Sequence, residues 1–329
     1  MARTLLTRSP LWRTDSPIRV GVSACLLGER VRWDGGHKRD SYLADTLAPF
    51  VEWYPVCPEV EMGLGIPRQT LRLERHAGAI RLIMPATGED HTGSLHRWAK
   101  RRLDDVVRAD LSGYILKKDS PSCGMERVRV HQGTGSPTRN GRGLFAQALA
   151  ERVPLLPLEE EGRLCDASLR ESFVERVFAY RRLRDLFASR WKVGDLVAFH
   201  AAHKLQLMAH STEAYRRLGR LVAEASKAPR RALEADYSRQ FMTALAEPAT
   251  PRRHVNVLQH MQGYVSRALD PPQRRELEGL IEDYRRGLLP LIVPITLVRH
   301  HVNHLAVSYL EGQTYLEPHP RELMLRNHC

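Results

Sequence analysis

The sequence predicts an α/β amino-terminal domain with a mostly parallel, Rossmann-like sheet, followed by an all-α carboxy-terminal domain. Short apolar runs alternate with helical patterns up to about residue 165, and three of those runs lead into loops that hold a cysteine among Gly, Pro or Ser. Beyond Ser168 only helical periodicity remains, punctuated by Pro229, Pro248, Pro251, Pro271 and Pro290. At 329 residues the chain exceeds one small core, and 43% hydrophobic with 27% charged residues describes a folded protein rather than a disordered one.

Residues 18–24 read as a buried strand ending at Cys25, and 51–56 as a second ending at Cys57. Between them Gly35-Gly36 marks a turn before a helix over 42–48. Alternation over 70–84 around Ala77-Gly78-Ala79 predicts a hairpin, 96–109 a helix, and 113–116 a third strand ahead of the Cys123 loop. A helix over 145–151 and a fourth strand over 153–156 complete this half. The second half reads as helices over 171–186, 196–225, 232–246, 254–268, 273–286 and 295–309. The expected organisation is an extension (1–16), an α/β domain (17–165), a linker helix (166–192) and a helical domain (193–329).

Fifty Lys and Arg against thirty-eight Asp and Glu give a formal charge of +12, and the arginine-rich surplus suits phosphate, making RNA or DNA a candidate partner. Residues 1–16 contain no secretory apolar core. The longest apolar stretch, 288–298, is short and carries Pro290 and Pro294, so no membrane span is expected. Five cysteines without tight spacing fit a reducing compartment, and a cytoplasmic location follows as the expectation.

Cys25, Cys57 and Cys123 carry the chemistry. A single free cysteine is most often a small buried apolar residue, but each of these sits where Gly, Pro or Ser allows close backbone approach. Open α/β sheets bind ligands beyond the carboxyl ends of their strands, so residues 32 and 66 positions apart can meet in one crevice. Three thiolates gathered there would hold an iron–sulfur cluster by three corners and leave one iron open to a substrate; zinc remains the competing metal. Glu59, two residues after Cys57, can shuttle a proton, or serve as a surface or helix-start charge. Ser120 and Ser122 can hydrogen-bond a substrate or shape the turn. Arg32, Asp34 and His37 lie near Cys25 in a loop that is solvated by default, while Cys165 and Cys329 are left out of the site. In the second half, His200 with His203 and His300 with His304 each share a helix face, a spacing compatible with a metal but read as polar packing or RNA contact. Arg216, Arg217, Arg220, Lys227, Arg230, Arg231, Arg252 and Arg253, interleaved with Tyr215 and Tyr237, form a basic concentration suited to phosphate.

Cys25-Leu26-Leu27-Gly28 with Val31-Arg32-Trp33-Asp34-Gly35, the run from Cys57-Pro58-Glu59 to Ile66-Pro67-Arg68, and Ser120-Pro121-Ser122-Cys123-Gly124 resemble the thiouracil desulfidase family, also catalogued as DUF523, over residues 17–160. The runs Phe199 to His210, His254 to His260 and Tyr315 to Pro320 resemble a DUF1722 domain. The combination is similar to bacterial desulfidases acting on 4-thiouridine in tRNA. The resemblance implies a [4Fe–4S] cluster on Cys25, Cys57 and Cys123, with Glu59 and Ser120 assisting catalysis and Ser122 as the alternative serine. Trp33 stands where many relatives have tyrosine. The implied reaction is a non-redox hydrolytic removal of sulfur, giving uridine and hydrogen sulfide, with thiolated tRNA docking on the basic helical domain. Desulfuration of free thiouracil or another small thioamide is the alternative, and a non-catalytic metal-containing nucleic-acid regulator is a third.

Overall fold

The computed structural model describes residues 13, 14 and 16–328, and it divides into two compact units, one of them Pro17–Asp166 and the other beginning at Ala167. The extension at 1–16 lies almost wholly outside the described residues, as does Cys329.

In the first unit the chain runs β1 (Arg19–Ser23), β2 (Glu52–Val56), α1 (Pro58–Glu61), β3 (Arg72–His76), β4 (Ala79–Met84), β5 (Glu89–Asp90), α2 (Thr92–Arg108), β6 (Gly113–Leu116), β7 (Val128–His131), β8 (Thr138–Gly141), α3 (Leu144–Arg152) and β9 (Leu158–Glu160). β1 from Val20 onward and the whole of β6 are continuous buried runs, the pattern of strands covered on both faces. They form the middle of a four-stranded, all-parallel sheet of order β2-β1-β6-β9, with Val22 opposite Pro55 on one side and Ile115 on the other. The chain therefore leaves β1 toward one edge and returns through β6 toward the other. This reversal opens a crevice at the carboxyl ends of β1 and β6. α2 packs through Leu95, Trp98, Ala99, Leu103 and Val106, an apolar stripe at helical spacing.

A second sheet of order β5-β4-β3-β7-β8 is built on the expected hairpin, whose turn residues Ala77 and Gly78 both have positive φ. β5, β7 and β8 were not anticipated, since they are short or polar. The strand expected over 153–156 is a turn, and the fourth parallel strand is β9. Pro154 and Pro157 supply no N–H for a ladder there, although Pro157 O still accepts the Tyr114 N–H at 2.8 Å. The strand itself is acidic, yet its carboxylates are buried because each meets a donor. Glu159 accepts Arg163 Nε at 2.6 Å, and Glu160 accepts the Met125 N–H at 2.6 Å. The helix expected over 42–48 is a π-helical turn, Tyr42–Leu47, running into a tight turn at Ala48–Phe50.

The second unit comprises α4 (Ala167–Ala188), α5 (Val193–His210), α6 (Thr212–Ala223), α7 (Arg230–Ala246), α8 (Pro251–Val265), α9 (Pro271–Arg285), α10 (Ile292–Leu305) and α11 (Ser308–Glu311). The segment 166–192 folds as α4 and buries Phe173, Phe178 and Leu183. The single helix expected over 196–225 breaks at Ser211, whose Oγ caps α6 by accepting the Ala214 N–H. The helix expected over 295–309 likewise stops at Ala306, with φ of 49°, before α11. Leu258, Met261, Val265, Leu277, Ile295 and Val298 fill one core. Among the described residues no helix is long and apolar enough to cross a membrane.

Candidate functional site

The crevice at the switch point is a cavity of about 510 Å³, and Cys25, Cys57, Cys123, Glu59 and Ser120 all line it. Cys25 follows β1 in a single 3-10 turn, closed by Gly28 in the left-handed conformation (φ 99°) that glycine adopts freely. The Cys25 carbonyl accepts the Lys38 N–H at 2.9 Å, which folds back the intervening loop, and Val31, Arg32, Trp33 and Lys38 of that loop line the cavity.

Cys57 is the residue that caps α1. Its N–H donates to Glu61 Oε1 at 3.1 Å, while Arg102 holds Glu61 Oε2 at 2.9 Å and donates to the Tyr54 hydroxyl at 2.6 Å. Glu61, for which the sequence suggested no role, thus anchors α1. Cys123 lies in a turn docked on the start of α3: Pro121 O accepts the Leu144 N–H at 3.1 Å, and Ser122 O accepts those of Phe145 and Ala146 at 3.0 and 3.2 Å. These are the donors that a helix leaves unpaired at its amino end.

Cys25 and Cys123 are buried and Cys57 is half-buried. Burial pushes the Cys25 thiol up to about 11, with an ionised Cys57 adding to the rise and Lys117 and Arg32 opposing it. Burial also raises Cys57, against the N–H groups of Val60 and Glu59 at the start of α1. Cys123 is pushed furthest, by burial and by Cys57, Glu59 and Cys25, while a hydrogen bond from the Ser23 hydroxyl works the other way. The three thiols sense one another across one cavity, so three thiolates would require positive charge between them. Among the described residues no three His, Cys, Asp or Glu side chains are grouped to hold a single metal ion.

Both oxygens of Glu59 are engaged. Arg68 donates to Oε2 from Nε at 3.0 Å and from Nη2 at 2.7 Å, and the Ser122 hydroxyl donates to Oε1 at 3.0 Å. Ser120 Oγ accepts the N–H groups of Ser122 and Cys123 at 3.3 and 3.1 Å, so it shapes the Cys123 turn from a position facing the cavity. Nothing local in the sequence assigns Arg68 a role, although it closes the second cysteine motif. Trp33 and Ile66 stand 45% and 43% exposed, and the Arg68 N–H bonds Trp33 O at 2.9 Å, which ties their two loops together. Arg32 also lines the cavity and pairs with Asp34 at 3.4 Å. Cys165 is exposed and does not line the cavity.

Residues 20–161 match the family model of 2-thiouracil desulfurase, and residues 204–320 match that of DUF1722, a protein of unknown function. The chain is 37% identical over 161 residues to the uncharacterized protein YbgA of Escherichia coli (strain K12), an alignment spanning 48% of this chain and 94% of that protein. It is 30% identical over 136 residues to the uncharacterized protein YbbK of Bacillus subtilis (strain 168), covering 40% of this chain and 88% of the relative. The chain belongs to the 2-thiouracil desulfurase family. In it a desulfurase domain is joined to a DUF1722 domain. Among solved structures it is similar to the [4Fe-4S]-dependent thiouracil desulfidase TudS, at 31% identity and a TM-score of 0.39 over 48% of this chain and 99% of that one.

In the DUF1722 part of this desulfurase-family chain, His200 and His203 are engaged in the helical core. His203 donates from Nδ1 to Phe199 O at 2.7 Å and accepts from Arg182 Nε at 3.2 Å, and His200 Nδ1 meets the Tyr237 hydroxyl at 3.1 Å. His300 and His304 are exposed, with rings parallel 6.1 Å apart. Tyr237 is fully buried and does not belong with the surface arginines. Burial, aided by Lys204, pushes His200 down to about 4, and burial pushes His254 to about 4 despite Glu171; His203 falls further. Their folded-state values lie below the ordinary 6.5, so the unfolded chain binds protons first as the solution is acidified. The stability they contribute is whole above pH 6.5 and is lost as pH falls toward 4. His210, raised by Glu175, acts oppositely and loses its contribution as pH climbs past 6.5. His301 is lowered by burial as well, so four histidines outweigh His210. The far-UV melting temperature of the full chain is therefore expected to drop steadily from pH 7 to pH 5; a flat or rising profile would show the charge assignment to be wrong.

Proposed function

We propose that the chain is an iron–sulfur-dependent desulfidase that converts 4-thiouridine in tRNA to uridine, releasing hydrogen sulfide. The observation that carries this reading is the meeting of three loop thiols with Glu59 and Ser120 on one cavity at the switch point of the sheet. Three soft donors spread round a cavity wall suit a multinuclear centre, and their buried, mutually repelling thiolates call for cationic iron among them. The fit favours a [4Fe–4S] cluster held by Cys25, Cys57 and Cys123. When bound, such a cluster supplies a Lewis-acidic iron with affinity for a thiocarbonyl sulfur.

The remaining work falls to side chains of the cavity. Each carboxylate oxygen has two lone pairs, and Ser122 occupies one on Oε1, so Glu59 Oε1 can still take a proton from an attacking water. Ser120, on the cavity wall, orients the ring or steadies charge as it develops. The balance needs no electrons: one water delivers oxygen to the ring carbon, and the sulfur leaves with two hydrogens as hydrogen sulfide.

The tRNA part of the reading rests on where the charge lies. Residues 167–329 hold 25 Lys and Arg against 17 Asp and Glu, whereas residues 17–166 hold 22 against 20. A free base has no use for such a surface; a polyanion does.

Anaerobic purification with iron and sulfide analysis, followed by sulfide-release assays on 4-thiouridine-containing tRNA and on thiouracil, tests the whole reading. Brown, iron-loaded protein that releases sulfide from the tRNA far faster than from the base is expected. Faster release from the base would favour a small-thioamide enzyme, and tight RNA binding without sulfide release would favour a regulator. Cys25→Ala should lose both colour and activity, and a colourless, fully active variant would refute the cluster's role.

A further inference from the structure

Glu59 joins two of the three cysteine loops. It stands in α1, two residues after Cys57, and through Oε1 it accepts a hydrogen bond from the hydroxyl of Ser122, the neighbour of Cys123. Ser122 cannot easily follow a wandering carboxylate. It is completely buried, its carbonyl accepts two N–H groups at the start of α3, and its own N–H donates to Ser120 Oγ. Arg68 restrains the other oxygen with equal economy. Nε and Nη2 both meet Oε2, and Nη1 reaches Gly65 O at 3.3 Å, so the fork points inward; the pair is nearly enclosed, with side chains 6% and 15% exposed. A guanidinium meant to bind substrate would keep a face of its fork free.

On the desulfidase reading above, we propose that Arg68 and Ser122 are positioning residues that fix the Glu59 carboxylate for proton removal from water. Ser122 does not line the cavity, and Arg68, which does, has its fork turned onto Glu59 and Gly65, so both act through the glutamate. Their effect is to deny the glutamate its alternative rotamers, so that Oε1 presents one lone pair in one direction. The rival role is a staple that merely holds the cysteine loops together, and it makes a different forecast.

The experiment compares Arg68→Met, Arg68→Lys and Ser122→Ala with the wild type, all full-length and prepared anaerobically. Iron and acid-labile sulfide per chain are measured first, then KM and kcat for sulfide release from thiouracil and from thiolated tRNA. Positioning predicts full iron content, KM within about twofold, and kcat reduced ~100-fold in Arg68→Met and ~10-fold in Ser122→Ala, the scale of a misplaced general base. Arg68→Lys should recover part of kcat, because one ammonium can still reach Oε2. Iron lost in step with activity would make the pair a staple and overturn the proposal. A raised KM at unchanged kcat would make Arg68 a substrate ligand and overturn it equally. A wild type that releases no sulfide from either substrate removes the desulfidase reading itself; an active wild type beside unaffected variants removes only this inference.

Discussion

Gly143→Ala is expected to strip the chain of most of its iron and, with it, of sulfide-releasing activity, although residue 143 does not line the cavity. The glycine precedes α3 with φ −61° and ψ 138°, a conformation open to alanine, so backbone strain is not the cause. Space is. A Cβ there would lie 2.5 Å from Ser122 O, 2.6 Å from Ser122 C and 2.8 Å from Cys123 N, all backbone atoms that no rotamer change can move. The same backbone is held in place by the N–H groups of Leu144, Phe145 and Ala146, so relief of the clash means lifting the Cys123 turn off the helix. Overpacking of this kind costs about 1–3 kcal/mol. Its functional cost is larger, because the displaced segment carries Cys123 and the hydroxyl that restrains Glu59. Gly135→Ala is the control: its Cβ meets only Gln132 O at 3.7 Å, an ordinary contact, and it shares the entropic effect of removing a glycine. Iron per chain is the deciding measurement. A fully loaded Gly143→Ala protein beside a fully loaded control would show that the turn tolerates the intrusion.

The contrast between what was readable and what was not follows the range of the interactions. β1 and β6 could be read because strands covered on both faces must be apolar throughout, and the β3–β4 turn because Ala-Gly between alternating residues has few other uses. The cysteine loops could be read as chemistry, but only topology brings them to one crevice. β9 escaped because two glutamates inside a parallel strand make sense only once Arg163 and the Met125 N–H are seen to meet them. Arg68 and Ser122 lie inside the cysteine motifs themselves. Their pairing with Glu59, across 9 and 63 residues, leaves no local trace. The break at Ser211 did have a signal, a serine able to cap, which the unbroken helical periodicity on either side obscured.

The same non-locality accounts for the polar interior of the helical unit, and Arg326→Met should expose its weight. Arg326 is 4% exposed, among Glu171, Glu175, His210 and His319, which are no more exposed than it is. Its Nε donates to Glu171 Oε1 at 2.9 Å, Nη1 to Tyr315 O at 2.5 Å, and Nη2 stands 3.9 Å from Glu175 Oε1, with the guanidinium 4.9 Å from the Tyr315 ring. His319 lies 3.6 Å from Glu171, so the arginine is the principal partner of that carboxylate, whereas His210 at 3.5 Å is nearer to Glu175 than the arginine is. The arginine and the histidines hold both glutamates below the usual carboxylate range despite burial. Methionine would fill the volume and strand Glu171 without its 2.9 Å partner, next to a Glu175 left to His210 alone. Stranding a buried ion typically costs about 3–5 kcal/mol, which for a unit of this size lowers the melting temperature by roughly 10 °C. The pH dependence carries the sign. In the wild type the stability due to the glutamates is present above about pH 4.5, their ordinary range, and is lost as pH falls through it; in Arg326→Met that gain should shrink or invert, since protonation then relieves the stranded charge. Adding Glu171→Gln to Arg326→Met removes one of the two charges and should restore a measurable part of the loss. If the single variant melts with the wild type, or the second change deepens the defect, the charges are not balanced through Arg326 and the polar core is held together by packing instead.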